Sequence, residues 1–371
     1  MNQRMTENRT TRLLSPGSPE NQLIPRALWW GYSPVALVAV IGILITLATF
    51  IQSLSWEKSQ VEIAFREASQ DRILVIQREI KHSLGIVQDI ASFFEAAEIV
   101  DRREFRKFVG PALKRQAGSK ALEWVPVVSD ADRPAFIQEA RRSFPPFQIT
   151  QFDLTGKLIE SLNRSIYYPI LYIQPYQSNK EALGLDMGAD PVVSSLLKEA
   201  EITQALQVSP GAPISDETGD QTGIVVVVPV FFKNTETEED LAQPPTEIRG
   251  FALGVFFIRD IIERALESLR SGGIDLHFYQ DHSAGDGQLL YTHFSRLRQE
   301  QPPDTTAGIS QITYSQRISV GTQQWEVVCK PAADKFATET RVSWIIHFGG
   351  IAFTVLLTIY LATLVGRARQ V

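Results

Sequence analysis

The chain reads as an α+β domain held between two membrane-spanning helices. Three observations predict this. Long apolar runs stand near both ends, an extended helical stretch follows the first of them, and short helices mixed with strands fill the remainder. That mixture, with strands placed to pair antiparallel, puts helices on the faces of sheets.

The first run, Val35 to Ile51, carries no charge, and Trp29, Trp30 and Tyr32 flank its start. The second, Val342 to Gly366, carries none unless His347 protonates. About 20 apolar residues at ~1.5 Å each cross a hydrocarbon core of about 30 Å. The expected spans are 28–53 and 342–366. Residues 1–27 hold Arg4, Arg9, Arg12 and Arg26 against Glu7 and Glu20, and the tail 367–371 holds Arg367 and Arg369. Arg-rich short flanks place both ends in the cytoplasm. The segment between the spans is then extracytoplasmic, in a multi-pass protein of the cell (inner) membrane. A cleaved signal peptide fits the first run poorly, because it starts late, runs long, and ends at Phe50-Ile51-Gln52. A buried core helix fits the second poorly, given its length and its Arg-rich stop.

From Ser55 to Ala97 the pattern predicts one long helix, assigned to a stalk over 54–98. Ile73, Ile76, Ile80, Val87, Ile90 and Phe94 recur at 3–4 spacing, with Ser83 in the missing seam position. Such a seam zips two copies of a helix together or packs one copy on its own domain. This helix is expected to run straight out of the first span as a rigid rod. Asp101 to Val109 follows as a short helix with Asp101 as N-cap. A strand at Ala121–Val128, a helix at Asp130–Ser143 and a strand at Phe147–Phe152 come next. Tyr167 to Ile173 is aromatic and aliphatic, as strands prefer. Pro191 opens a helix that runs to Glu201. Ile224–Phe232 and Gly250–Ile258 are apolar strands. Asp260–Leu269 is a helix ended by Gly272 and Gly273. Strands at Leu276–Tyr279, Leu289–Thr292, Ile312–Ser319 and Trp325–Cys329 complete the domain. The break near Gly272 divides a distal subdomain (99–258) from a membrane-proximal one (259–341). Pro210–Thr222 and the acidic Asn234–Glu247 read as polar loops.

A net charge of −6 over 371 residues offers no basic footprint for nucleic acid. Cys329 is the single cysteine, so no intrachain disulfide forms, and an inward-facing strand position suits it. Asp275, His277, Asp281 and His282 stand close in sequence, but a surface strand end explains them better than a metal site does. His82 on its helix faintly resembles a phosphoacceptor, yet no nucleotide-binding glycine-rich segment follows it. No Gly-x-Ser-x-Gly elbow and no P-loop is present. No catalytic, metal or cofactor site is expected.

A different signal stands out. Tyr167-Tyr168-Pro169-Ile170-Leu171-Tyr172-Ile173-Gln174-Pro175 leads to Ala182-Leu183-Gly184-Leu185-Asp186. A small-molecule pocket needs apolar and aromatic walls with a few fixed polar groups. Tyr168 and Tyr172 with Asp186 as the polar handle supply these. Equally, the tyrosines pack in a core and Asp186 caps a turn before the Pro191 helix.

These residues carry a family resemblance. Ala121-Leu122-Glu123-Trp124-Val125-Pro126, then Asp132-Arg133, then Phe152-Asp153 stand in order. Tyr168-Pro169, Tyr172-Ile173, Pro175, Asn179, the run Ala182 to Asp186, Pro191, Ala200, Ser209, Pro229-Val230-Phe231 and Gly250-Phe251 with Gly254 follow. The chain resembles the CHASE domain, the extracytoplasmic sensory module of many bacterial receptors and of plant cytokinin receptors. The resemblance spans roughly 97–257. It implies a long N-terminal helix carrying two PAS-like subdomains, a ligand in the distal one, and a homodimer formed through the long helix. It implies that Asp186 accepts hydrogen bonds from the ligand, as the matching aspartate does toward the adenine ring in the cytokinin-receptor branch. Tyr168, Tyr172 and Gly254 join Asp186 as ligand-binding residues. Two motifs depart from the family. Residues 201–204 read Glu-Ile-Thr-Gln where many members have Thr-Gly, and Val192, Val193 and Ser194 stand where bacterial members often have an arginine. Ligand identity stays open. The chain also stops five residues after Gly366. The output is therefore expected from a separate cytoplasmic kinase or cyclase, or else the gene product is truncated.

The resulting expectation is a membrane-anchored sensor that binds a small molecule outside the cell and signals through a separate partner. The runner-up is a membrane scaffold that binds a protein or an envelope polymer. An extracytoplasmic enzyme built on His277, Asp281 and His282 is the third reading.

Overall fold

The structure, a computed structural model, describes residues 26–115, 119–216, 219–232, 247–280, 287–297, 312–332, 336 and 340–368. The N-terminal tail to residue 25, most of the acidic 234–247 segment, Asp281, His282 and the last three residues lie outside the described residues. The chain divides into two compact units, Gln60–Thr338 and the pair Met1–Ser59 with Glu339–Val371.

Helix α1 spans Arg26–Ala96 as one element. Residues 52–56, Gln-Ser-Leu-Ser-Trp, contain no glycine or proline to end it, so the helix expected from Ser55 continues the first apolar run without a break. Next comes α2 (Arg102–Arg115). Asp101 Oδ1 accepts the Glu104 N–H at 2.7 Å, and the Glu104 carboxylate accepts the Asp101 N–H at 3.0 Å, a reciprocal capping box. The chain continues with β1 (Ser119–Pro126), β2 (Val128–Ser129), α3 (Arg133–Ser143), β3 (Thr150–Phe152), β4 (Leu158–Glu160), β5 (Ile166–Tyr167), β6 (Tyr172–Gln174) and α4 (Tyr176–Asn179). It continues with α5 (Pro191–Thr203), β7 (Gln207–Val208), β8 (Ala212–Asp216), β9 (Gly219–Phe231) and β10 (Ile248–Phe257). Then α6 (Ile258–Glu267) leads to β11 (Ile274–Gln280), β12 (Gln288–His293), β13 (Tyr314–Val320) and β14 (Gln323–Pro331), and α7 covers Arg341–Ala368.

The first sheet has the order β6-β1-β10-β9-β7, with β8 paired to β9, and the second has β12-β11-β14-β13. Both are antiparallel. The α+β class with a long N-terminal helix is as the sequence predicts.

Strand alternation places two cores on the two faces of the first sheet. Leu122, Trp124, Val226, Ala252 and Phe256 face α1, with Ile73, Ile76, Ile80, Val87, Ile90 and Phe94 in the same cluster. Ala121, Val125, Val227, Phe251 and Leu253 face α5, against Val193, Leu196, Leu197 and Ala200. A sheet buried on both faces reads as continuous apolar runs, which is the pattern of 224–232.

The proposed seam of α1 is therefore occupied. Its six apolar residues are 0–3 % exposed within their own domain, Ser83 is 1 % exposed, and the Ser83 hydroxyl bonds the Glu79 carbonyl at 3.0 Å. The stripe is not a free dimer seam. Arg249 of β10 donates to the carbonyls of Phe94, Ala97 and Glu98, closing the C-terminal end of α1.

Two further expectations change. The segment 210–222 contains β8, which pairs residue by residue with the start of β9, from Ala212–Gly223 to Asp216–Gly219. Pairing satisfies its backbone, so its polar composition is compatible with a strand. The strand expected at 167–173 is split into β5 and β6. Pro169 has no N–H to donate, and the backbone of 168–170 bonds 184–187 instead.

In the other unit, the apolar portions of α1 and α7 pair antiparallel. An added Cβ on Gly42 would lie 2.5 Å from Thr354 Cγ2, and one on Gly350 would lie 2.7 Å from Thr46 Cγ2. The backbones approach closely because those residues lack side chains. Glu57 accepts both the N–H and the hydroxyl of Ser343, and Ser53 bonds the same hydroxyl at 2.8 Å. His347 lies against Phe50, with ring centroids 4.6 Å apart. Both helices are long and apolar enough to cross a membrane.

Candidate ligand-binding site

The α5 face of the first sheet is roofed by chain that runs from β5 to α5. Leu183 to Met187 thread between β3 and residues 168–170. Gly184 O accepts from Thr150 N at 2.9 Å, Asp186 N donates to Thr150 O at 2.8 Å, and Met187 N donates to Tyr168 O at 2.9 Å. Gly184 adopts φ +80°, and a Cβ there would lie 2.1 Å from Gln148 O, so only glycine fits.

Asp186 is 1 % exposed. Its Oδ1 accepts the Tyr168 N–H at 2.9 Å and the Gly188 N–H at 3.0 Å. Its Oδ2 accepts the Ser161 hydroxyl at 3.2 Å and lies 3.6 Å from Arg164 Nε. The carboxylate thus ties four separate points of the roof together. It caps the 3₁₀ turn Met187–Ala189, while Asp190 caps α5 through Val192 and Val193. Of the two readings that the sequence leaves open for Asp186, the turn cap is the one these contacts describe.

Tyr168 is half-buried over Gly188, with its ring edge-on to Phe251 at 5.8 Å. Burial raises its pKa, and the charges of Glu201 and Asp186 add to the effect. Tyr172 points the other way. It pairs with Trp124 across the sheet, its hydroxyl donates to Val100 O at 3.1 Å, and its ring lies 5.6 Å from Phe105. Burial raises its pKa as well, helped by Asp101, Glu104 and Glu139. Gly254 also faces α1, and a Cβ there would lie 2.6 Å from Val87 Cγ2. The four residues expected to bind ligand therefore divide. Tyr168 packs on the α5 face and its N–H bonds Asp186, while Tyr172 and Gly254 lie on the α1 face. Gly254 is explained by the close approach of β10 to α1. A groove of about 520 Å³ between α1 and α2, lined by His82, Ile86, Phe93, Phe108 and Arg115 among others, contains none of them.

Glu123 is the residue that the sequence reading passed over. It lies at the centre of β1, opposite Leu253 and Ile173, and so on the α5 face. It is 3 % exposed, and its Oε2 touches no donor. Burial lifts its carboxyl to about 7. A charged residue inside a strand whose both faces are buried was the available signal.

His277 bonds Thr292 between β11 and β12 at 3.2 Å, while Asp281 and His282 lie outside the described residues. Among the described residues no group of three or more His, Cys, Asp or Glu stands together to hold a metal.

The CHASE domain, as a family model, matches residues 98–291, more than half of the 371. The chain belongs to the CHASE-domain family. It is a sensory domain of the signalling-receptor type, flanked by two apolar helices. The match extends past β10 through α6 and β11 into β12. Hybrid signal transduction histidine kinase A of Dictyostelium discoideum is 23 % identical over an aligned length of 325 residues, and the alignment covers 82 % of this chain and 15 % of that protein. The chain thus spans a small fraction of the length of that relative. The periplasmic sensory domain of the Campylobacter jejuni chemoreceptor Tlp1 is similar at 13 % identity and a TM-score of 0.40, covering 76 % of this chain and 95 % of that one. The ligand-binding domain of the Pseudomonas aeruginosa PAO1 amino acid chemoreceptor PctC, in complex with GABA, is similar at 14 % identity and a TM-score of 0.39, covering 72 % and 99 %.

Proposed function

We propose that this chain is a membrane-anchored sensor whose CHASE domain binds a small molecule outside the cell and signals across the bilayer. The distal subdomain (99–258) is the ligand-binding part, and the membrane-proximal one (259–341) passes the change on. The observation that carries this reading is the α5 face of the first sheet. It combines apolar residues, the ring of Tyr168 and a buried carboxylate with an unpartnered oxygen under a roof of short turns. That combination suits a small molecule better than a polymer. The Arg-rich flanks support a cell-membrane protein with this domain extracytoplasmic. The name of the Dictyostelium relative supports a histidine kinase as the kind of output, with a cyclase as the other candidate. A homodimer fits a receptor of this type and would have to use another side of α1, where Ile63 and Leu74 are exposed.

Thermal unfolding of the full chain in lipid nanodiscs tests this against anionic, neutral and cationic metabolites, adenine derivatives included. A ligand at about 100 times its Kd stabilises the native state by about 2.7 kcal/mol. A concentration-dependent shift that Tyr168→Ala weakens is the expected result. No shift with any class, from a chain that melts cooperatively, selects the scaffold reading.

A further inference from the structure

Two carboxylates are buried in this part of the domain, and the fold treats them in opposite ways. Asp186 is surrounded by two backbone N–H groups, the Ser161 hydroxyl and the Arg164 guanidinium. Its charge is answered within the chain. Glu123 is almost as deeply buried, yet its Oε2 has no donor, and among the described residues no Lys, Arg or His pairs with it. Its same-face neighbours are apolar, with Ile173 and Leu253 across the sheet and Ala121 and Val125 along the strand.

An isolated buried carboxylate is costly to keep ionised, and an unsatisfied buried oxygen in a folded core calls for an explanation. The surroundings favour a missing positive charge over any other partner. The neighbours of Glu123 on this face are apolar, and Arg164, the cation beside Asp186, is engaged there. An anionic ligand would set a like charge against Glu123. A neutral donor would satisfy one lone pair and leave the charge standing. A cationic N–H group satisfies both, and charge-assisted bonds of this kind are the strong ones.

Besides α5, the α5 face is covered by pieces that open at low cost: the four-residue α4, two three-residue 3₁₀ turns at Lys180–Ala182 and Met187–Ala189, and the half-buried Tyr168, Tyr176, Leu183 and Met187. Short elements with partly exposed contacts are drawn from the low-stability end of a fold.

We propose that the distal site takes a small organic cation, a primary ammonium or amidinium on an apolar body, and that its N–H donors pair with Glu123. This rests on the sensor reading above and names the ligand class of the same site. It assigns the ligand handle to Glu123, with Asp186 as the brace that shapes the roof.

The test uses the full chain in lipid nanodiscs at about pH 8, where Glu123 is ionised. The probes are isoamylamine, phenethylamine and benzamidine, each beside its neutral isostere: isoamyl alcohol, phenethyl alcohol and benzamide. The expected result is a concentration-dependent rise in melting temperature with at least one cation, and binding weaker by about tenfold or more for its isostere. Glu123→Gln should melt at or above the parent without ligand, because it removes an unpaired charge, and should lose the preference for the cation. Glu123→Asp, which keeps the charge, should retain part of it. Equal binding of a cation and its isostere, or an unchanged cation affinity in Glu123→Gln, overturns the assignment. No shift with any cation, while a neutral or anionic metabolite shifts the melting, overturns the cation class and leaves the sensor reading standing. No shift with any compound overturns both.

Discussion

Asp186 and Glu123 differ in what their removal leaves behind. Asp186→Ala strips acceptors from two buried N–H groups and a hydroxyl and frees Arg164, so it should cost about 3–5 kcal/mol of stability. Chemical denaturation of the unliganded protein checks this, and a loss confined to ligand binding would contradict the brace role. Glu123 contributes through pH. Its native carboxyl titrates near 7, above the unfolded value of about 4.3. Between those values the native state holds a proton that the unfolded chain has lost, so stability falls as pH rises through this window and stays low above it. The loss is about 4 kcal/mol at most, from the size of the shift. Glu123→Gln should flatten this dependence, and unfolding curves from about pH 5 to 8 would show it.

At the scale of elements, α1 serves its own domain. Ile80 is 3 % exposed in the cluster that joins α1 to the sheet. Ile80→Asn should destabilise the domain by about 3 kcal/mol or more at any protein concentration. A dimer seam would instead make the loss concentration-dependent, and melting at several dilutions separates the two outcomes. The α1/α7 pair depends on its glycines. Gly350→Leu places a side chain where Thr46 Cγ2 already lies 2.7 Å from the first added carbon. It should push the two helices apart, read as a lost cysteine cross-link between Ser53→Cys and Ser343→Cys, whose hydroxyl oxygens lie 2.8 Å apart. Gly349, with nothing within 4 Å, should accept the same change with the cross-link intact.

Across the whole molecule, the sensor reading predicts that stability is unevenly distributed. Strands β9 and β10 pair along nearly their whole lengths and are buried on both faces. The roof beside α5 hangs on short turns. Amides of 176–190 should therefore exchange faster than those of 224–231 and 250–257 in the unliganded chain. A ligand in the distal site should slow the roof selectively, because it binds the closed arrangement better than the open one. Uniform protection in both states would count against a roof that opens.

Several features were legible in the chain alone. The apolar spans followed from their length and lack of charge. The order of helices and strands followed from periodicity, proline and glycine, and the family from short motifs in order. Local patterns report on local backbone preference and on burial, and those are the properties that fix element type. What they do not report is which buried surface meets which. The stripe on α1 has the same spacing whether it faces a second copy or its own sheet, and only the contacts with Trp124, Val226 and Phe256 choose between them. The polar 210–222 segment has no apolar alternation, and its strand exists because β9 supplies the hydrogen bonds. Tyr168 and Tyr172 are four residues apart and both aromatic, yet the break between β5 and β6, where Pro169 pairs with Asp186, leaves them on opposite faces. Asp186 and Glu123 carry the same charge in equally apolar sequence. Tertiary packing gives one of them four partners and leaves an oxygen of the other with none, a difference that no local pattern carries.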